Sequence, residues 1–193
     1  MSESAVERYT LRRKVFKLFG AGFYILNSSG GIVGYCKQKA FRLREDVRIF
    51  TTEACTEELL RIGTTQVIDF SASYHVTLPT GEKIGEFRRQ GMKSLLRDAW
   101  IVLDGEGRQI AEITEDSGWL AFLRRLHDGF SLFMPEKFDM RSADGRHLVT
   151  YRTHFNPFIY RLGVAVHEDD AELDDLMVLA GACLLGAIEG RQD

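Results

Sequence analysis

VTLPTGEKIGEFRR, residues 76–89, places a Thr-Gly turn between two runs of strand composition, which is the commonest hairpin signal a sequence carries. What surrounds it turns one hairpin into a fold. With Gly81 as origin, Tyr74 lies seven positions before it and Val76 five before, while Ile84, Gly85 and Phe87 lie three, four and six after. The same offsets from Gly107 give Trp100, Val102, Ile110, Ala111 and Ile113. From Gly30 they give Phe23, Ile25, Val33, Gly34 and Cys36, and from Gly145 they give Phe138, Met140, Leu148, Val149 and Tyr151. A degenerate fifth copy has Thr56 at its origin, flanked by Ile49, Leu59, Leu60 and Ile62. The origins 30, 56, 81, 107 and 145 are spaced by 26, 25, 26 and 38 residues, a supersecondary period. Each copy reads as a β-hairpin, with glycine at the turn because it reaches positive φ without steric cost.

Five hairpins, together with the strand-like segments 9–17 (YTLRRKVFK) and 158–166 (FIYRLGVAV), make about twelve strands. The pattern predicts a mainly β protein whose antiparallel strands, built from repeated hairpins, either split into two sheets or close into a barrel. A barrel of twelve strands is too wide for its own side chains to fill, so something must occupy the middle. The run Leu176 to Ile188 is apolar without a break, and a helix apolar all round is a buried helix. It is predicted over roughly 172–188, with Asp174 and Asp175 favourable at its N-terminus and Gly190 able to end it. Gly181 and Gly186 each cost about 1 kcal/mol in a helix interior, which suggests that strand backbones approach closely there. Thirteen apolar residues fall short of the roughly 20 that cross a bilayer.

Charge is unevenly placed on this chain of net charge −3, a balance that argues against general nucleic-acid affinity. The first 45 residues carry Arg8, Arg12, Arg13, Lys14, Lys17, Lys37, Lys39, Arg42 and Arg44 against Glu3, Glu7 and Glu45, whereas 168–175 (EDDAELDD) is acidic. Cys36, Cys55 and Cys183 have no metal or redox spacing and read as reduced thiols. The basic N-terminal stretch interrupts any signal-peptide pattern. A cytoplasmic protein is expected, monomeric or a small oligomer.

No nucleophile elbow, phosphate loop or metal-ligand motif occurs, and His75, His127, His147, His154 and His167 show no paired-ligand spacing. His147 and His154 therefore read as structural. No catalytic residue, cofactor or metal is expected. Two basic stretches remain as candidate phosphate-binding residues: Arg88, Arg89, Lys93 and Arg97 around FRRQGMKSLLRDAW, and Arg12, Arg13 and Lys14 near the first strand. The first can equally be a solvated loop, or one paired with Asp98 or the acidic run. Residues 117–129 (SGWLAFLRRLHDG) read as a short amphipathic helix with Trp119, Phe122, Leu123 and Leu126 on one face, capping a barrel end or touching a membrane, and FSLFMPEKF after it as a strand edge.

RRKVF at 12–16, the stretch 63–113 and the final helix resemble the LURP-one-related family, which groups with the tubby C-terminal domain and the phospholipid scramblases. The resemblance covers nearly the whole chain and implies one domain, 1–193, folded as a closed twelve-stranded barrel around a central hydrophobic helix. Tubby-like members bind phosphoinositides, so it also implies a non-enzymatic binding or adaptor domain that engages anionic phospholipid head groups peripherally. A protein-interaction scaffold without lipid affinity is the second reading. A scramblase-like membrane protein is the third, since the Pro-rich arm and cysteine-rich segment of scramblases have no counterpart here.

Overall fold

The computed structural model describes residues 6–14, 22–38, 46–64, 72–90, 99–115, 136–154, 156 and 158–189. Twelve strands follow in chain order: β1 Glu7–Arg13, β2 Gly22–Asn27, β3 Ile32–Gln38, β4 Asp46–Phe50, β5 Glu58–Thr64, β6 Ser73–Thr77, β7 Lys83–Arg89, β8 Ala99–Asp104, β9 Gln109–Glu115, β10 Lys137–Ser142, β11 His147–His154 and β12 Arg161–Val166. One helix, α1, spans Asp175–Glu189. Each strand pairs antiparallel with its sequence neighbours, and β12 pairs with β1, so the meander closes into a barrel.

Four hairpins share one register. Tyr74 faces Phe87 and Val76 faces Gly85, then a bulge skips Ile84 and Thr77 faces Lys83. The hairpins around Gly30, Gly107 and Gly145 repeat these pairings offset for offset. In each, the glycine is left-handed, with φ of 82°, 89°, 85° and 90° at Gly30, Gly81, Gly107 and Gly145, and its N–H closes the turn onto the carbonyl three residues back. Such a glycine-centred bulge matches the turn to the twist of the strands. Polar side chains at that carbonyl's residue lock three of the turns: Asn27 Oδ1 accepts from Gly31 N at 2.8 Å, Asp104 Oδ1 from Arg108 N at 2.9 Å, and Ser142 Oγ from Arg146 N at 3.0 Å.

The fifth hairpin departs from the expected origin. Its left-handed residue is Cys55, with φ 56°, not Thr56. Ile49 pairs with Leu60, where the offsets of the other copies would have paired it with Ile62. The turn is two residues longer than in the other copies, closed by Thr51 N on the Glu57 carbonyl six residues on, where theirs close over four. Without glycine the tight four-residue turn has no residue suited to it, and the chain spreads the reversal over a wider loop.

Inward side chains and α1 form one core. Phe23, Ile25, Val47, Ile49, Leu60, Ile62, Val76, Phe87, Trp100, Val102, Ile113, Phe138, Met140, Tyr151, Leu162 and Val164 are all buried, as are Met177, Val178, Ala180, Ala182, Cys183, Leu184, Leu185 and Ala187 of the helix. Tyr151 donates its hydroxyl to the Val178 carbonyl at 3.1 Å, a Cβ at Gly85 would run into Met177, and Gly186 lies beside the Phe23 ring. Those contacts come from β11, β7 and β2, around the whole circumference. The helix therefore lies along the barrel axis. Its two glycines accommodate aromatic rings, Tyr151 and Phe87 at Gly181 and Tyr160 and Phe23 at Gly186, rather than the strand backbones expected. The helix starts later than the sequence suggested: Asp174 caps it, accepting from Leu176 N at 2.7 Å, and 171–173 form a turn. Cys36 and Cys183 meet in this core, where burial and their mutual hydrogen bond push the Cys183 thiol well up.

Because successive strands alternate in direction, the five hairpin turns and the entry to α1 share one end of the barrel. Strands β1, β3, β5, β7, β9 and β11 finish at the other end. Among the described residues, no helix is long and apolar enough to cross a membrane.

Candidate functional site: the basic outer wall

Alternation along a strand splits each basic pair of the sequence. Arg12 follows fully buried Leu11 and faces outward, whereas Arg13 pairs with inward-facing Phe23. Arg88 likewise faces outward, and Arg89 stacks over the inward Trp100 ring at 5.5 Å. β1 and β7 lie six strands apart in a ring of twelve, so Arg12 and Arg88 occupy opposite walls. Lys93 and Arg97 lie outside the described residues, as do 117–129 and most of FSLFMPEKF.

On the β7 wall, Arg88 is committed to a carboxylate. Its guanidinium contacts Glu86 Oε1 at 2.9 Å, Lys83 Nζ contacts Oε2 at 2.8 Å, and His75 Nδ1 lies 3.3 Å from Oε2. Burial opposes the charge on Glu86, and hydrogen bonds from Lys83, Arg88 and Ser73 overcome it, holding the carboxyl down at about 2. One carboxylate thus serves two cations, Lys83 and Arg88, and fixes both on this wall. Four carboxylates of the acidic run 168–175 pair with arginines among the described residues. Arg146 takes Glu168 and Asp170, and Arg8 takes Asp169 at 2.8 Å and Asp175 at 3.0 Å, which fixes the segment leading into α1.

The β1 wall differs. Arg12 pairs in register with Arg161 of β12 on one side and with Tyr24 of β2 on the other, lying 5.8 Å over the Tyr24 ring. The row continues through Tyr35 of β3 to Phe50 of β4. The adjacent row carries Lys37, Arg48 and Arg61 on β3, β4 and β5. Lys14, just past β1, reaches Glu53 in the long turn after β4. Tyr24 donates to the same Glu53, so this turn folds back over the outer wall.

Beneath it is a cavity of about 290 Å³ lined by Lys37, Arg48, Phe50, Cys55, Thr56 and Glu58. Arg48 is held by Asp46 at 3.0 Å and Glu58 at 3.1 Å, and Arg61 reaches Asp46 at 3.2 Å. Four cations of this side have no carboxylate partner among the described residues: Arg12, Lys37, Arg161 and, one outward step along β11, Arg152. Like charges directly opposite one another across strands are destabilising, and Arg12 faces Arg161 in that way. An anion placed against the pair would relieve it.

Lys37, Arg48, Arg152 and Arg161 were not among the sequence candidates. Only outward alternation within each strand could have flagged them, and their adjacency needed the register.

Two histidines gather elsewhere. His147 and His167 stack with ring centroids 4.2 Å apart, and both Nε2 atoms lie 3.0 Å from Thr150 Oγ1, which contacts Asp139 Oδ1 at 2.8 Å. Burial and then the neighbouring His147 hold His167 below its ordinary range. His154 contacts Glu7 at 2.6 Å. Among the described residues, no group of three His, Cys, Asp or Glu side chains is arranged to hold a metal ion.

The chain matches no protein-family model, no curated protein and no solved structure.

Proposed function

We propose that this chain is a non-enzymatic, cytoplasmic binding domain of the LURP-one-related type that holds an anionic phospholipid head group, of the phosphoinositide class, against its β12–β1–β2–β3–β4 wall. The observation that carries the reading is the opposed pair Arg12 and Arg161, with Lys37, which has no carboxylate partner among the described residues, in the next row beside the 290 Å³ cavity. Arginine grips phosphate through paired donors and lysine as a point charge, and a bisphosphorylated inositol offers one phosphate to each kind. The cavity gives the ring a place to rest, with Thr56 as a hydroxyl partner and Phe50 as an apolar floor. The resemblance to tubby-like domains adds a precedent for the ligand class. Arg88, held by Glu86, serves stability under this reading, and Arg12, Lys37 and Arg161 serve binding.

Titration calorimetry with soluble inositol trisphosphate tests it. Wild type should bind, and Arg12→Ala and Lys37→Ala should each weaken binding about tenfold, since a hydrogen bond to a charged group contributes roughly 1.5–3 kcal/mol. Arg88→Ala should leave it unchanged. No heat from wild type at low salt would remove the head-group reading and favour a scaffold that binds protein alone.

A further inference from the structure

Phe158 is the most exposed large apolar side chain among the described residues, at 85%. It is not on a loose end. Asn156 Oδ1 accepts from Phe158 N at 2.9 Å and from Ile159 N at 3.1 Å, which fixes the backbone that presents the ring. Three residues later Arg161 opens β12, directly opposite Arg12 on β1 and His154 on β11. Arg152 faces outward two residues before His154. A bare aromatic ring therefore shares one rim of the barrel with Arg12, Arg152 and Arg161, all three without a carboxylate partner among the described residues.

Apolar surface left in water is unfavourable, and so is a set of cations that outnumbers its counter-charge; the carboxylate on this face, Glu7, contacts His154 at 2.6 Å. The boundary of an anionic bilayer satisfies both at once. There an aromatic ring rests at the level of the lipid glycerol while arginines beside it stay among the phosphates. A soluble head group would satisfy the arginines and leave Phe158 bare. We propose that Phe158 inserts into the interface of an anionic lipid bilayer while Arg161, Arg12 and Arg152 pair with lipid phosphates around it, orienting the barrel with its β11–β12 connection toward the membrane. This rests on the head-group reading and adds to it a surface, an orientation and a residue.

Vesicle flotation and soluble-ligand calorimetry, run side by side, separate the two claims. The probes are phosphatidylcholine vesicles doped with phosphatidylinositol bisphosphate, and inositol trisphosphate in solution. Phe158→Ala should weaken vesicle binding at least tenfold, the effect of withdrawing one buried aromatic side chain, while soluble inositol trisphosphate binds as to wild type. Its thermal midpoint should not move, because an 85% exposed ring contributes little to packing. Phe158→Trp should restore vesicle binding, with Trp fluorescence shifting to the blue when vesicles are added. Arg161→Ala and Arg152→Ala should each weaken vesicle binding about fivefold.

Wild-type vesicle affinity in Phe158→Ala, or no spectral shift in Phe158→Trp, overturns the insertion. So does failure of the wild type to bind the vesicles at all, which would leave Phe158 as a contact for a protein. Loss of vesicle binding in Phe158→Ala when wild type ignores inositol trisphosphate upholds the insertion and removes the head-group pocket instead.

Discussion

Gly181→Ala places two opposing terms on one atom. Gly181 is buried in the middle of α1, and replacing glycine by alanine in a helix interior gains about 1 kcal/mol. The added Cβ, however, would lie 2.9 Å from the Tyr151 hydroxyl and 3.4 Å from two atoms of the Phe87 ring. Tyr151 cannot swing aside, since it is fully buried and its hydroxyl is tied to the Val178 carbonyl at 3.1 Å. Overpacking of a fixed core costs about 1–3 kcal/mol, so the net change should be a loss of up to about 2 kcal/mol. Tyr151→Phe alone should cost about 1 kcal/mol for the hydrogen bond. In the double variant the obstructing hydroxyl is gone and the helix gain is recovered. A coupling of about 1–3 kcal/mol, the overpacking relieved, should then appear in a double-mutant cycle, measured by urea unfolding at equilibrium. Additive changes, within roughly 0.5 kcal/mol, would mean that α1 does not present Gly181 to β11 and would refute the packing inside the barrel.

The acid limb of stability offers a second expectation. Glu86 has its carboxyl depressed from 4.5 to about 2, so its stabilisation is complete above pH 4.5 and is lost as pH falls toward 2. Between those limits wild type should lose on the order of 3 kcal/mol that Glu86→Gln does not lose, and parallel pH profiles for the two proteins would contradict the cluster. A third concerns Cys55, the only non-glycine residue with positive φ among those described. Cys55→Gly should stabilise the barrel by about 0.5–1 kcal/mol through relief of the left-handed strain, read as a raised urea midpoint with unchanged slope, and a lowered midpoint would contradict it.

Much of the barrel was legible because the repeat obeys local chemistry. A left-handed turn residue wants glycine, and Gly30, Gly81, Gly107 and Gly145 each mark the same register. Where glycine was replaced, at Cys55, the offsets misplaced the turn and slipped the pairing of Ile49 by two residues. The apolar run at 176–188 announced a buried helix. Sequence could not show that its glycines face rings instead of backbones, which depends on the inward positions of Tyr151 and Phe23.

The candidate site was much less legible. Consecutive cations such as Arg12 and Arg13, or Arg88 and Arg89, look like patches in a string, yet a strand sends neighbours to opposite faces. The cations that do meet come one to a strand: Arg12, Lys37, Arg48 and Arg161. Arg12 and Arg161 become neighbours only because β12 closes on β1. Charge pairing was invisible for the same reason, since Glu86 holds Arg88 from two residues away on the same strand face.

Amide NMR of the isotopically labelled protein, titrated with soluble inositol trisphosphate, tests the central claim most directly. Saturable shifts should gather at Arg12, Tyr24, Lys37, Arg48 and Arg161, which span β12 to β4, with β6, β7 and β8 unmoved. Shifts centred on Arg88 and Glu86, or none anywhere as ligand rises, would contradict the assignment of binding to the basic wall.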